Sequence, residues 1–220
     1  MARYFTKALF DFLSDLADHN NRAWFDANKE RYEHDVKEPF LEFIADTAAP
    51  LRKISRYIVA DPRPVGGSMF RIYRDVRFSK DKSPYKTAIA AHFPLGGKDV
   101  NGPGYYLHIE PGRSLVGGGM WMPDAGVLAR IRTPIVEKPA EWKKARAHLD
   151  DEGAQLKRPP QGFDPDHPLI EDIKRKSYTS GTTLADRKVT AADFMDTFIS
   201  ECREMAPLVR FLAASAGVDW

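Results

Sequence analysis

Apolar residues at helical spacing open the chain. Leucines from Leu9 to Leu16 fall on one side of a helix that Thr6 can cap. The same spacing predicts a second helix over residues 22–36 and a third helix that begins at Pro39, because proline suits a first turn where its missing amide proton is not needed. Pro50 should bend or end that third helix. The first quarter of the chain is therefore predicted to be a helical block.

From Met69 onward the pattern changes to short apolar segments bounded by Gly or Pro, which is typical of strands. Residues 111–113, Pro-Gly-Arg, predict a short hairpin loop and hence antiparallel pairing of the strands on either side. The predicted strands are residues 70–73, 88–93, 105–110, 114–120 and 177–184.

Apolar and polar residues alternate along the predicted strand 105–110. Because successive side chains of a strand point to opposite faces of a sheet, one face of this strand should be apolar and the other should carry polar groups. The apolar set is Tyr105, Leu107 and Ile109, and the polar set is Tyr106, His108 and Glu110.

The second half of the chain returns to helical spacing. Helices are predicted at residues 124–132, 139–149 and 169–176, and a closing helix follows Thr190 and Asp193, which resemble a capping box. Four prolines make residues 153–168 a loop or a boundary between subregions. Helical blocks on both sides of a run of strands predict an α+β fold, in which a mostly antiparallel sheet carries helices on one face. We expect residues 1–220 to form one domain.

Composition is ordinary for a folded protein: 220 residues, 43% hydrophobic and 29% charged, with a net charge of +2. No stretch approaches the roughly 18 consecutive apolar residues that cross a bilayer, so we expect a soluble, cytoplasmic protein with no membrane partner. Cys202 is the single cysteine, which excludes an internal disulfide and a cysteine-based zinc cluster.

Positive charge is concentrated in residues 63–86, which hold seven Lys or Arg and two Asp. Guanidinium groups suit phosphate and carboxylate because they donate two parallel hydrogen bonds, and aromatic rings among the cations can stack on an organic ligand. The alternative is a solvated ionic network in which these cations pair with Asp75, Asp81 and other acidic residues. The predicted ligand-binding residues are Arg71, Tyr73, Arg74, Arg77, Lys80, Lys82, Tyr85, Lys86 and, in a later triple glycine, Gly118.

His108 is the candidate catalytic residue. It shares a strand face with Glu110, so the two could form an acid–base pair, or bind a metal with His92 as a third ligand. The sequence has no paired-histidine helical motif and no second cysteine, which favours a proton-transferring or structural histidine and predicts no metal. The glycine runs fit neither the Walker pattern nor the dinucleotide fingerprint, so no cofactor is predicted.

Three segments carry a resemblance to a known family: residues 20–33, 70–87 and 105–121. They resemble conserved hypothetical proteins of bacteria and fungi that bear the label domain of unknown function 2461. The resemblance covers nearly the full chain and implies a single-domain unit of this length. It supplies no activity, cofactor or catalytic residue. Two of the segments contain the cations, the glycines and His108, and we therefore expect the site there.

Three functional hypotheses follow. The first is a groove that binds a small phosphorylated or carboxylated ligand, with or without enzymatic turnover, in which the arginines hold the anion and His108 moves a proton. The second is nucleic-acid binding by the same cations, with Tyr73, Phe78 and Tyr85 as stacking platforms. The third is a module that docks an acidic protein partner. The oligomeric state does not follow from the sequence.

Overall fold

The computed structural model describes residues 3–96, 101–150 and 153–220. A π-helical segment spans Tyr32–Lys37, and a 3₁₀ turn spans Arg146–His148. The strands are β1 (Ile89–Pro94), β2 (Gly104–Ile109), β3 (Ser114–Met120) and β4 (Tyr178–Leu184). The helices are α1 (Lys7–Asp18), α2 (Arg22–Ala27), α3 (Lys29–Arg31), α4 (Glu38–Arg52), α5 (Ala125–Glu137), α6 (Pro139–Ala145), α7 (Ile170–Ile173), α8 (Asp186–Val189) and α9 (Phe194–Ala216).

The four strands form one antiparallel sheet in the order β1-β2-β3-β4. The short loop after β2 joins two neighbouring strands, as the Pro-Gly-Arg sequence predicts, and its Gly112 has a φ of 69°, which glycine adopts without strain. Tyr106 of β2 lies opposite His92 of β1 and Gly117 of β3, and Gly117 lies opposite Gly181 of β4. The α+β fold with an antiparallel sheet is confirmed.

The apolar face of the sheet packs against helices. Tyr105, Leu107 and Ile109 are all fully buried, in a core that also takes apolar residues of α1, α4 and α9. A second, smaller core surrounds Trp142 of α6 and Tyr178 of β4. The alternation in β2 therefore places one set of side chains in the core and leaves the other set on the open face.

The close approach of α9 to the sheet depends on Gly118. A Cβ atom at this position would lie 3.2 Å from side-chain atoms of Tyr105, Met205 and Val209, a distance shorter than ordinary van der Waals contact. Glycine therefore allows α9 to lie directly against β3, which brings the apolar stripe of the helix into the core.

Several local predictions need correction. Residues 70–73 do not form a strand. Only isolated bridges are described here, Met69 with Ala91 and Tyr73 with Tyr85, because the chain leaves the edge of β1 after Phe70. Residues 22–36 are divided at Asn28 rather than forming one helix. The capping box is wrong as well, since Asp193 makes no side-chain cap bond. The α4 helix ends two residues after Pro50, close to the predicted end.

Candidate functional site

A cleft of about 840 Å³ lies over the open face of the sheet, opposite α9. Residues that follow Phe70 form the wall beside β1, and Trp121, which is 65% exposed, also lines the cleft. Polar side chains that line it come from β1, β2 and β4 and from the loops around the sheet, whereas β3 contributes Leu115 and glycines. The polar residues include Arg74, Lys86, Thr87, His92, Asn101, Tyr106, His108, Glu110, Asp150 and Thr179.

Two glycines leave the floor of the cleft without side chains. Gly117 and Gly181 lie opposite each other in β3 and β4. A Cβ atom at either position would be no closer than 3.4 Å to a neighbouring atom, which is ordinary van der Waals contact. The fold does not require glycine at these positions, so their effect is to expose the backbone of the sheet to whatever occupies the cleft.

A third glycine makes room for His92. A Cβ atom at Gly104 would lie 2.7 Å from His92 Nε2, so the imidazole ring lies directly over the backbone of β2. His92 belongs to β1 and lines the same cleft. The sheet thus presents two histidines, His92 and His108, on its open face.

A chain of hydrogen bonds runs along the polar face of β2. The Tyr106 hydroxyl lies 3.1 Å from His108 Nδ1, and His108 Nε2 lies 3.2 Å from Glu110 Oε2. The Thr87 hydroxyl donates to Glu110 Oε1 at 3.0 Å. Arg113 places its guanidinium 3.7 Å from the same carboxylate. Spacing by two residues brings all three β2 side chains to one face, so the strand itself aligns them.

Burial raises the pKa of the Tyr106 phenol above its usual value of 10, and the negative charge of Glu110 raises it further. The phenol is therefore protonated at neutral pH and available as a hydrogen-bond donor. Tyr106 lines the cleft, as His108 and Glu110 do, so its hydroxyl is placed where a ligand can contact it.

Lys86 lines the cleft and supplies positive charge to it, although the residue as a whole is exposed to solvent. Its ammonium donates to the backbone oxygen of Arg71 at 3.0 Å and lies 5.5 Å from the centre of the Phe70 ring. Partial desolvation, with a smaller contribution from the charge of Arg71, lowers the pKa of Lys86 below its usual value. No carboxylate within the described ranges comes within 4 Å of this ammonium, so its charge is not neutralised by an ion pair there.

The other predicted cations are distributed differently. Arg74 lines the cleft and is paired with Asp81, whereas Arg77 is exposed and paired with Asp75 at 2.7 Å. Lys82 donates to a backbone oxygen, that of Val76, at 3.0 Å. Arg71 and Lys80 are exposed.

The two predicted aromatic residues differ in exposure. Tyr85 is buried and stacks on Phe25 with ring centres 4.1 Å apart, while Tyr73 is 61% exposed. The structure thus brings Arg74, Tyr85, Lys86, His108 and Gly118 to the cleft. The predicted residues that are not among the described residues lining it are Arg71, Tyr73, Arg77, Lys80 and Lys82.

Several cleft residues were not predicted as site residues. Tyr106 could have been found from the alternation in β2, because it shares the face of His108. Thr87 follows the predicted cations directly. Thr179 and Gly181 carry no signal in the sequence, since only the pairing of β3 with β4 brings them to the cleft, and Trp121 follows the end of β3.

Two negative findings apply to residues 3–96, 101–150 and 153–220. Among those residues, no three His, Cys, Asp or Glu side chains are grouped so that they could hold a metal ion. None of the described helices has the length and apolar character needed to cross a bilayer.

Comparison with known proteins places the chain in a family. The model of the family described as "Conserved hypothetical protein (DUF2461)" matches residues 8–211. No curated protein and no solved structure matches the chain. The match includes all four strands and every residue of the hydrogen-bonded chain from Thr87 to Glu110. The protein therefore belongs to the DUF2461 family of conserved hypothetical proteins.

Proposed function

We propose that the protein binds a small organic anion, phosphorylated or carboxylated, in the cleft over the sheet. The observation that carries this proposal is the ammonium of Lys86, which lines the cleft and has no carboxylate within 4 Å among the described residues. A partly desolvated cation gains more from an anionic partner than a fully hydrated one does. An anionic group beside Lys86 would supply that partner.

The shape of the cleft supports a small ligand. Its volume of about 840 Å³ falls within the range of pockets that hold metabolites and cofactors. Gly117 and Gly181 leave a bare floor on which a flat part of a ligand can lie, and Phe70 and Trp121 offer aromatic faces. Arg74 lines the cleft as a second cation, although its pairing with Asp81 reduces the charge that it offers.

A thermal-shift screen of phosphorylated metabolites, nucleotides and organic acids tests the proposal. We expect at least one compound to stabilise the wild type and to lose that effect in Lys86→Met. Lys82→Met is the matched control, because Lys82 lies in the same segment and also donates to a backbone oxygen, but outside the cleft lining. In Arg74→Ala we expect the stabilisation by the same compound to be reduced but not abolished. Equal stabilisation of wild type and Lys86→Met would contradict binding at this lysine.

Nucleic-acid binding is the second candidate, and one observation favours it. Tyr73 and Phe78 are 61% and 95% exposed beside the basic segment, where bases could stack on them. Against it, Tyr85 is buried and Arg74 and Arg77 are paired with aspartates. The small-ligand proposal uses the cleft together with Lys86, which has no carboxylate within 4 Å among the described residues, so we prefer it.

A further inference from the structure

We propose that Tyr106 transfers protons in this cleft, with His108 as its base and Glu110 as the residue that positions His108. This inference extends the proposed function from binding to acid–base catalysis on the bound anion. It rests on the hydrogen-bonded chain along β2, and its test needs no ligand.

The donors and acceptors of the chain fix its direction. As a carboxylate, Glu110 only accepts hydrogen bonds, and it accepts one from Thr87 at 3.0 Å. His108 Nε2, at 3.2 Å from Glu110, must then carry the proton of the neutral imidazole. His108 Nδ1 is left as an acceptor, and the Tyr106 hydroxyl donates to it at 3.1 Å. A base is therefore already in contact with the phenol.

This arrangement can move a proton in either direction. When an acidic C–H or O–H of the ligand meets the Tyr106 oxygen, the phenol proton passes to His108 Nδ1 and the ligand proton passes to the phenol oxygen. The bonding electron pair stays on the ligand, and the resulting imidazolium faces the Glu110 carboxylate. Lys86, on the same cleft, supplies charge to stabilise the anion that forms. The reverse sequence delivers a proton to the ligand.

A purely structural role would use the same hydrogen bonds, and phenol reactivity distinguishes the two. Burial and Glu110 raise the pKa of Tyr106, so without a base this phenol would react more slowly than an exposed one. Tyr73 serves as an internal reference, because it is 61% exposed and, in the described chain, contacts aromatic rings rather than a histidine. Only an active base makes Tyr106 the faster of the two.

The groups around His108 limit what else could titrate there. Directly across the sheet, its neighbours are Ala90 in β1 and Leu115 in β3, which do not ionise. Among the described residues, the ionisable groups that face it or line the same cleft are Tyr106, Glu110, Arg113, Lys86, His92, Arg74, Tyr85 and Asp150.

Methanesulfonyl fluoride provides the test, since it is small enough for a cleft of about 840 Å³. The phenol oxygen forms a bond to sulfur, fluoride leaves with the S–F electron pair, and the phenol proton passes to the base. The rate at each tyrosine is measured by peptide mass spectrometry. At pH 8 we expect Tyr106 to react at least about tenfold faster than Tyr73. A positioned base typically contributes about 100-fold or more, and the reagent reaches a residue in a cleft less easily than it reaches an exposed one.

Variants identify the base. His108→Gln should bring the Tyr106 rate below that of Tyr73, and Glu110→Gln should give an intermediate rate. His34→Gln is the matched control, because His34 also contacts a carboxylate, Asp35, but lies outside the cleft lining. The Tyr73 rate in each variant, together with its thermal melting curve, reports whether the fold is intact.

The pH profile is the readout that a structural role would not move. A base-assisted reaction stops rising with pH once its base is deprotonated, whereas direct labelling of a phenol rises until the phenol itself ionises, so labelling of Tyr106 should level off at a pH where labelling of Tyr73 still rises. A Tyr106 rate no greater than that of Tyr73, or one unchanged by His108→Gln, would overturn the inference. Either result would leave ligand binding at Lys86 standing, because that binding is measured separately.

Discussion

Gly117 and Gly118 are consecutive residues of β3, and their missing side chains create space on opposite faces of the sheet. A Cβ atom at Gly118 would press against Met205 and Val209 of α9 at 3.2 Å. A Cβ atom at Gly117 would point into the cleft and come no closer than 3.4 Å to any neighbour. Gly118 therefore allows close packing in the core, and Gly117 leaves space in the candidate site.

Alanine substitution should separate these roles. Gly118→Ala forces a methyl group into a packed core, and we expect it to lower the free energy of unfolding by about 1–3 kcal/mol. Gly117→Ala should change the free energy of unfolding by no more than about 0.5 kcal/mol, as for a substitution that meets no close contact. Guanidinium denaturation of both variants measures the difference. Equal losses in the two variants would show that α9 is not held against β3 as described.

A larger residue at Gly117 should close the cleft without unfolding the protein. Valine suits a strand, and its branched side chain would occupy the floor beside Tyr106. We expect Gly117→Val to abolish the stabilisation by any ligand found in the thermal-shift screen. Thr183→Val is the control, because Thr183 lies on the same face of β4 but outside the described lining. Retained binding in Gly117→Val would place the ligand elsewhere.

The two faces of β2 could be predicted from sequence because the period of a strand is local. Each of Tyr105, Leu107 and Ile109 is buried, and Tyr106 and His108 lie on the open face. The helices that cover the apolar face follow from the same kind of local spacing. Helix ends are harder to predict: Thr190, which the pattern places at the start of the closing helix, instead follows α8, and its hydroxyl donates to the backbone oxygen of Asp186 at 3.3 Å.

The composition of the site could be predicted only in part. The cation-rich segment does reach the cleft, but only through Arg74, Tyr85 and Lys86, because the chain between them projects away and pairs its charges locally. Which of these residues reach the cleft depends on the path of the loop between Arg74 and Tyr85, and hydrophobic periodicity does not predict the path of a loop. The contribution of β4 comes from pairing between residues about 60 positions apart, and the sequence pattern carries no register for such pairs.

Two buried tyrosines should respond in opposite ways to loss of their hydroxyl groups. The Tyr105 hydroxyl is buried and has no hydrogen-bond partner among the described residues, whereas the Tyr178 hydroxyl donates to the Asp172 backbone oxygen at 2.9 Å. Tyr105→Phe should therefore stabilise the protein by about 1–2 kcal/mol, and Tyr178→Phe should destabilise it by about 1 kcal/mol. Chemical denaturation of both variants gives the comparison, and a loss in Tyr105→Phe would indicate a partner for that hydroxyl.

Salt dependence should test nucleic-acid binding directly. A protein that contacts several phosphates with Lys and Arg loses affinity steeply as salt rises. Because Arg74 and Arg77 are paired with aspartates, we expect no electrophoretic shift of single-stranded or duplex DNA or RNA at moderate salt. A stable complex at low salt that Phe78→Ala and Tyr73→Ala weaken would instead support the exposed aromatic residues as a binding surface.

The positive charge of Lys86 should lower the free energy of unfolding when no ligand is bound. Its pKa is lowered in the folded state, chiefly by desolvation, so folding disfavours the charged ammonium. At pH 7 the lysine is charged in both states and the penalty is fully present. As the pH rises through the lowered folded-state pKa towards the unfolded value of about 10.4, the unfolded chain binds more protons than the folded one, and stability rises.

Lys86→Met should therefore be at least as stable as the wild type at pH 7, with the difference shrinking as the pH approaches 10. Methionine keeps the apolar stem beside Phe70 and removes the charge. Urea denaturation at both pH values measures the effect, and Lys82→Met controls for the loss of one positive charge. A variant that is less stable than the wild type at pH 7, with a difference that grows towards pH 10, would mean that the ammonium stabilises the folded chain. That result would contradict the proposal that an anionic ligand pairs with Lys86.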